Sequence, residues 1–192
     1  MLNIISLEKL ESYKNKKLKI GIFGGSFDPP HNGHLNLAQN ALEKLSLDEV
    51  WFDLANQNPT KPTHHHNFEE RSHMVQNMIA SFNKMKLLII EKELEIILTI
   101  DLISYLKKLL PKIEFYFLIG ADLASSIHKW EGIDKIIDSL KLVIFSRSNY
   151  SHEVKNSYIY KKYNPTGKVE FIEIEEIDVS STEIRKILKE KK

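Results

Sequence analysis

Cysteine is absent from the 192 residues, which excludes disulfides, thiolate metal sites and cysteine nucleophiles. No apolar run approaches the roughly 18 to 20 residues of a membrane span. An excess of either charge is missing too. The 27 Lys and Arg stand against 26 Asp and Glu, a net charge of +1, so no bulk field points to nucleic acid or an acidic membrane surface. Arginine is scarce: Arg71, Arg147 and Arg185 are the three, and the other 24 of the 27 basic residues are lysines. Their positions matter, because the guanidinium fork makes bidentate contacts with phosphate that lysine cannot make. The first 17 residues carry acids early and no continuous apolar stretch, unlike a signal peptide, so a cytoplasmic protein is the expectation.

What is present is ordinary globular usage. Hydrophobic residues make up 42% and charged residues 28%, which argues against disorder as the main state. A chain of this length suits one domain with a small appendage. In residues 1–17, Leu2, Ile5, Leu7, Leu10 and Tyr13 fall near helical spacing and predict an N-terminal extension with a weak amphipathic helix. From residue 18 to 192 the pattern alternates. Short apolar runs predict strands at 18–25, 49–55, 86–91, 113–120, 141–147 and 169–174. Amphipathic spacing predicts helices at 32–45, 68–82, 99–110, 131–139 and 181–190, with Asn67 as N-cap of the second and Pro111 stopping the third. Such alternation implies an α/β fold, doubly wound, whose mostly parallel sheet carries helices on both faces.

In such sheets ligands bind beyond the carboxyl ends of the strands. The first of these ends reads Gly24-Gly25-Ser26-Phe27-Asp28-Pro29-Pro30-His31-Asn32-Gly33-His34. The glycines predict a tight turn with close backbone approach. Turn N–H groups and the Ser26 hydroxyl can surround an anion, and the following helix N-terminus adds unsatisfied donors and partial positive charge. His31 and His34 are three apart, so both can face one side. A zinc site would need further ligands, and the sequence has no paired cysteines and no H-E-x-x-H. A second anion-binding helix end follows at Ser180-Ser181-Thr182-Glu183-Ile184-Arg185, which also reads as an ordinary capping box.

The first string resembles the G-[ST]-F-D-P-x-H-x-G-H signature of the nucleotidyltransferase superfamily. The second resembles the I-S-S-T-x-I-R motif of its nicotinate-nucleotide adenylyltransferases, with Val179 in place of the leading Ile. Three middle segments fit the same branch. Asn58-Pro59-Thr60-Lys61-Pro62 resembles its N-P-x-K loop, Glu69-Glu70-Arg71 with Met74-Val75 its E-E-R-x-x-M-V helix, and Phe117-Leu118-Ile119-Gly120-Ala121-Asp122 its F-I-I-G-A-D, with Trp130 matching a following tryptophan. Residues 97–103 depart from S-Y-T-x-D-T-L: Thr99 and Asp101 remain and the Ser-Tyr pair does not.

The resemblance implies a Rossmann-like fold and transfer of AMP from ATP to nicotinate mononucleotide, with Mg²⁺ riding on the ATP phosphates rather than in a protein metal site. It implies catalytic roles for His31, His34 and Arg185. Gly24, Gly25, Ser26, Phe27, Gly33, Gly120, Asp122, Arg147, Ser180, Ser181 and Thr182 would contact ATP. Lys61, Thr99 and Trp130 would contact the mononucleotide. Arg71 sits on a helix in the family pattern but also reads as a plain salt bridge and is given no role, and His64, His65 and His66 read as solvated loop near the substrate side. The expected partners are these small molecules, without nucleic acid or membrane; a homo-oligomer stays open. Phosphopantetheine adenylyltransferase is the neighbouring alternative, and a non-catalytic nucleotide sensor on the same fold is the other.

Overall fold

The computed structural model describes residues 3–56, 65–147 and 151–175. Among them the chain runs β1 (Ile4–Ile5), α1 (Leu7–Leu10), β2 (Lys19–Gly25), α2 (Asn32–Lys44), β3 (Glu49–Leu54), α3 (Phe68–Ile79) and β4 (Met85–Leu88). It continues with α4 (Ile90–Glu93), α5 (Thr99–Leu109), β5 (Glu114–Gly120), α6 (Ala121–Ala124), α7 (Ile133–Ser139), β6 (Lys141–Arg147), α8 (Ser151–Asn156), α9 (Tyr158–Tyr163) and β7 (Val169–Ile174). The strands form one sheet in the order β1-β4-β3-β2-β5-β6-β7, and every neighbouring pair is parallel. This is the parallel α/β sheet that the alternation of strands and helices predicts, and the Rossmann-like fold that the resemblance implies.

Strand residues divide between the two faces, because successive side chains point to opposite sides. Phe115, Phe117 and Ile119 of β5 join one core with Leu102, Ile103 and Leu106 of α5 and Ile133, Ile136 and Ile137 of α7. Tyr116 and Leu118 face the other way, into a core with Leu37, Ala38 and Ala41 of α2 and Val75 and Ile79 of α3. Both faces being covered explains why these strands lack polar alternation.

Part of the N-terminus is the helix expected there: α1, capped by Ser6, runs on into a 3₁₀ turn at Glu11–Tyr13. Ile4 and Ile5 instead pair with Leu87 and Leu88 and extend the sheet by one edge strand. β-branched Ile4-Ile5 favours the extended backbone. Ile5 and Leu10 are fully buried, and the Tyr13 hydroxyl donates to Glu49 Oε2 at 3.0 Å. Residues 3–13 thus pack on the same sheet as the rest. The strand expected at 86–91 stops at Leu88, after which Ile90–Glu93 turns into α4. No helix among the described residues is long and apolar enough to cross a membrane.

Candidate active site

The sheet order reverses between β2 and β5: β3 and β4 lie on one side of β2, and β5, β6 and β7 on the other. Ligands of open α/β sheets bind at the carboxyl ends of strands at such a switch point. The 24–34 string leaves β2 there. The strand itself continues through Gly24 and Gly25, which pair with Asp53 and Leu54. Phe27, not a glycine, takes the left-handed backbone, with φ 46°. This corrects the expectation that glycine freedom makes the turn. Gly25 provides room instead, since a Cβ there would lie 2.9 Å from Phe27 Cζ. The buried Phe27 ring then meets the ring of His34 edge-on, centroid to centroid 5.0 Å.

His31 is the N-cap of α2, and its Nδ1 accepts the Gly33 N–H at 3.1 Å. His34 Nδ1 accepts the His31 N–H, also at 3.1 Å. Two histidines therefore perform the reciprocal capping that Ser or Thr with Glu performs elsewhere. Their rings lie 3.7 Å apart, tilted by 33°. A ring nitrogen that accepts an N–H carries no proton. In each neutral imidazole the proton must then sit on Nε2, which makes Nε2 a donor.

Charged groups outside the predicted set surround this turn. Asp28 is buried; its Oδ2 accepts the His65 N–H and its Oδ1 meets His66 Nδ1, both at 2.6 Å. The His66 ring and the His65 backbone are thus tied to the turn, while the His65 side chain stays exposed as a solvated loop implies. Arg71 is 1% exposed, and its Nη1 donates to the carbonyls of Ser26 at 2.8 Å and Ala55 at 3.0 Å. It is no surface salt bridge. Burial lowers its pKa, while Asp28, Glu69 and Glu91 oppose that shift. Asp53 and Glu91 are both buried, and their carboxyl groups act on each other. Burial pushes Glu91 up to about 7; burial and then the Glu91 charge push Asp53 well above the usual carboxylate range. The pair therefore holds a proton near neutral pH, and Glu91 Oε2 also accepts the Asn56 N–H at 2.9 Å. A sequence signal existed for Asp53, an acid inside the apolar run EVWFDL, and none for its meeting Glu91.

The β5 end lies against the same place. Phe117 Cε2 is 3.5 Å from where a Cβ on Gly24 would be, and the Phe117 ring meets Trp130 edge-on at 6.2 Å. Trp130 is half-buried, so it has both a core contact and an accessible part.

Residues 22–187 match the cytidylyltransferase-like family model. The chain is 36% identical over 172 residues to a probable nicotinate-nucleotide adenylyltransferase of Pelagibacter ubique, covering 90% of this chain and 94% of that one. It is 36% identical over 180 residues to the nicotinate-nucleotide adenylyltransferase of Bacillus subtilis, covering 91% and 87%. The chain belongs to the nicotinate-nucleotide adenylyltransferase family. Its fold is similar to that of a Plasmodium falciparum nicotinic acid mononucleotide adenylyltransferase solved with APC, with a TM-score of 0.71, 27% identity and coverage of 89% and 84%. The same Plasmodium protein solved with NaAD matches with a TM-score of 0.66 at 26% identity, over 89% and 84% of the two chains.

The remaining positions expected of an adenylyltransferase fall as follows. Gly120 ends β5 and caps α6, where a Cβ would meet Asp122 Oδ1 at 2.6 Å; Asp122 itself is exposed. Thr99 opens α5, and the next residue, Ile100, would be 3.0 Å from a Cβ on Gly132, two residues beyond Trp130. This packing ties the α5 start to the Trp130 segment. Arg147 closes β6. Lys61, His64, Ser180, Ser181, Thr182 and Arg185 lie outside the described residues.

Proposed function

We propose that the chain transfers the adenylyl group of ATP to nicotinate mononucleotide, releasing pyrophosphate and forming deamido-NAD for NAD biosynthesis. The reciprocal His31–His34 cap at the switch point is the observation that carries this reading. It commits both Nδ1 atoms to the backbone and so places each neutral ring's proton on Nε2, at the head of a helix, a combination suited to a polyphosphate.

A 5′-phosphate oxygen of the mononucleotide attacks the α-phosphorus of ATP in line, and the bond to the β-phosphate oxygen breaks. The attacking phosphate has a second pKa near 6 and is mostly dianionic at neutral pH, so no side chain has to remove a proton. Catalysis then consists of positioning and charge stabilisation. His31 and His34 donate to the phosphates as charge moves toward pyrophosphate. Gly24, Gly25, Ser26, Phe27 and Gly33 cradle the chain of phosphates from the first turn. Ser180, Ser181, Thr182 and Arg185 hold it from the second motif. Gly120, Asp122 and Arg147 take the adenosine side, with the exposed Asp122 carboxylate accepting from a ribose hydroxyl. Thr99, Trp130 and Lys61 take the mononucleotide.

No group of three or more metal-ligating side chains occurs among the described residues. A Mg²⁺ here fits the oxygens of the triphosphate and water, the hard, mostly hydrated coordination it prefers. When bound it supplies neutralisation of phosphate charge. The test is pyrophosphate release from ATP and Mg²⁺ with nicotinate mononucleotide, nicotinamide mononucleotide or phosphopantetheine as acceptor. Release with the first is expected. Release with phosphopantetheine alone, or none with any acceptor, would overturn the reading.

A further inference from the structure

The chain uses lysine at 24 of its 27 basic positions, yet it buries one of its three arginines against backbone carbonyls. One nitrogen of Arg71, on α3, holds two segments at once, the Ser26 carbonyl of the phosphate turn and the Ala55 carbonyl just past β3. The same segments are joined by the Ala55 N–H, which donates to the Gly25 carbonyl at 3.1 Å. We propose that Arg71 is a positioning residue for adenylyl transfer, which sets the direction of the Phe27 N–H in the phosphate turn by anchoring the Ser26 carbonyl.

The peptide geometry makes this link. In a planar trans peptide the carbonyl and the following N–H point in opposite directions. Ser26 C=O turned toward Arg71 therefore turns the Phe27 N–H away from it. Phe27 has φ 46°, a backbone conformation that side chains disfavour and that surroundings must hold in place. Arg71 is itself buried, and the charges of Asp28 in the turn, of exposed Glu69 on its own helix and of Glu91 at the start of α4 favour its cationic form. Lysine would bring a rotatable ammonium on a flexible stem in place of a rigid planar guanidinium.

The inference rests on the adenylyl-transfer reading, so wild-type enzyme is assayed beside the variants. Arg71→Lys keeps the charge, and Arg71→Gln keeps an amide donor without charge. Val75→Ala, buried on the same helix, is the packing control. Melting temperature, kcat and both KM values are measured per folded enzyme. Both Arg71 variants should fold and lose kcat by about 10- to 100-fold, the scale of a reacting group held slightly out of place. Lys should recover part of what Gln loses, and the mononucleotide KM should stay within roughly 3-fold of wild type. Val75→Ala should melt lower with kcat per folded enzyme unchanged. Arg71 variants that turn over like wild type would overturn the inference. So would failure of both to fold, which would make Arg71 a residue of the fold alone. A wild type that releases no pyrophosphate would instead remove the adenylyl-transfer reading and the inference with it.

Discussion

His34 caps the helix it belongs to by accepting the backbone N–H of His31, 3.1 Å away, and so cannot carry its proton on Nδ1 when neutral. The fold thereby selects the tautomer that offers Nε2–H. His34→Ala should lower kcat by roughly 100-fold or more, the scale of losing one transition-state donor, with much smaller changes in KM. It should also cost about 1 kcal/mol of stability through the lost cap. Steady-state kinetics with a melting curve check both parts; an unchanged kcat with a raised ATP KM would make His34 a uniform binding residue.

Trp130→Ala should raise the KM for nicotinate mononucleotide by roughly 10-fold or more and leave that for ATP close to wild type. An indole face stacks on a pyridine ring, and the N-alkylated ring is cationic, which adds a cation–π contribution. Because Trp130 also packs edge-on against Phe117, its loss should lower the melting temperature as well. Kinetics normalised to folded protein separate these effects. A lower melting temperature with an unchanged mononucleotide KM would leave Trp130 as core only.

Deleting residues 1–16 should destabilise the protein severely. Sequence alone suggests a small appendage outside the motifs, but Ile5 and Leu10 are fully buried and Tyr13 is 3% exposed. Burying Ile5 and Leu10 contributes about 3 to 6 kcal/mol, a large share of a typical stability of about 5 to 15 kcal/mol. Tyr13→Phe should cost only about 1 kcal/mol, because Glu49 keeps the Trp51 Nε1–H bond at 2.7 Å. Urea titration of both variants measures this; a truncated chain as stable as the full one would contradict the packing seen here.

Stability should decline as pH rises from about 4.5 toward 7 and beyond. Burial raises Glu91 from 4.5 to about 7, and burial with the Glu91 charge raises Asp53 well above its ordinary value. The folded state then binds more protons than the unfolded chain across this window. The contribution of the pair is fully present below the ordinary carboxylate value and is lost as pH climbs through the raised one. Glu91→Gln removes one of these titrations, so its melting temperature should fall less between pH 5 and pH 8 than that of wild type. Equal slopes for the two proteins would refute the assignment.

Much of the site is readable without coordinates because it is contiguous. Gly24 to His34 lie within one strand–turn–helix unit, where local spacing brings the groups together. The Arg71 contacts were not readable. Ser26 is 45 residues away from it and Ala55 16, and a helical arginine beside two glutamates looks like surface. The contacts of the His65 backbone and the His66 ring are unreadable for the same reason: only the fold carries them to Asp28, 37 and 38 residues earlier.

By itself the sequence determined the alternation of strands and helices, the two-sided burial of the sheet and the position of the phosphate turn, all set by local periodicity and short motifs. The tertiary structure decided what depends on distant segments meeting. It made Ile4–Ile5 an edge strand, since a two-residue extended segment has no stability until β4 offers its open edge. It put the left-handed bend on Phe27, because the ladder to β3 keeps both glycines extended. It also joined Asp53 and Glu91 in one dry place, where two carboxyl groups cannot both stay ionised, a consequence of burial that no spacing in the chain announces.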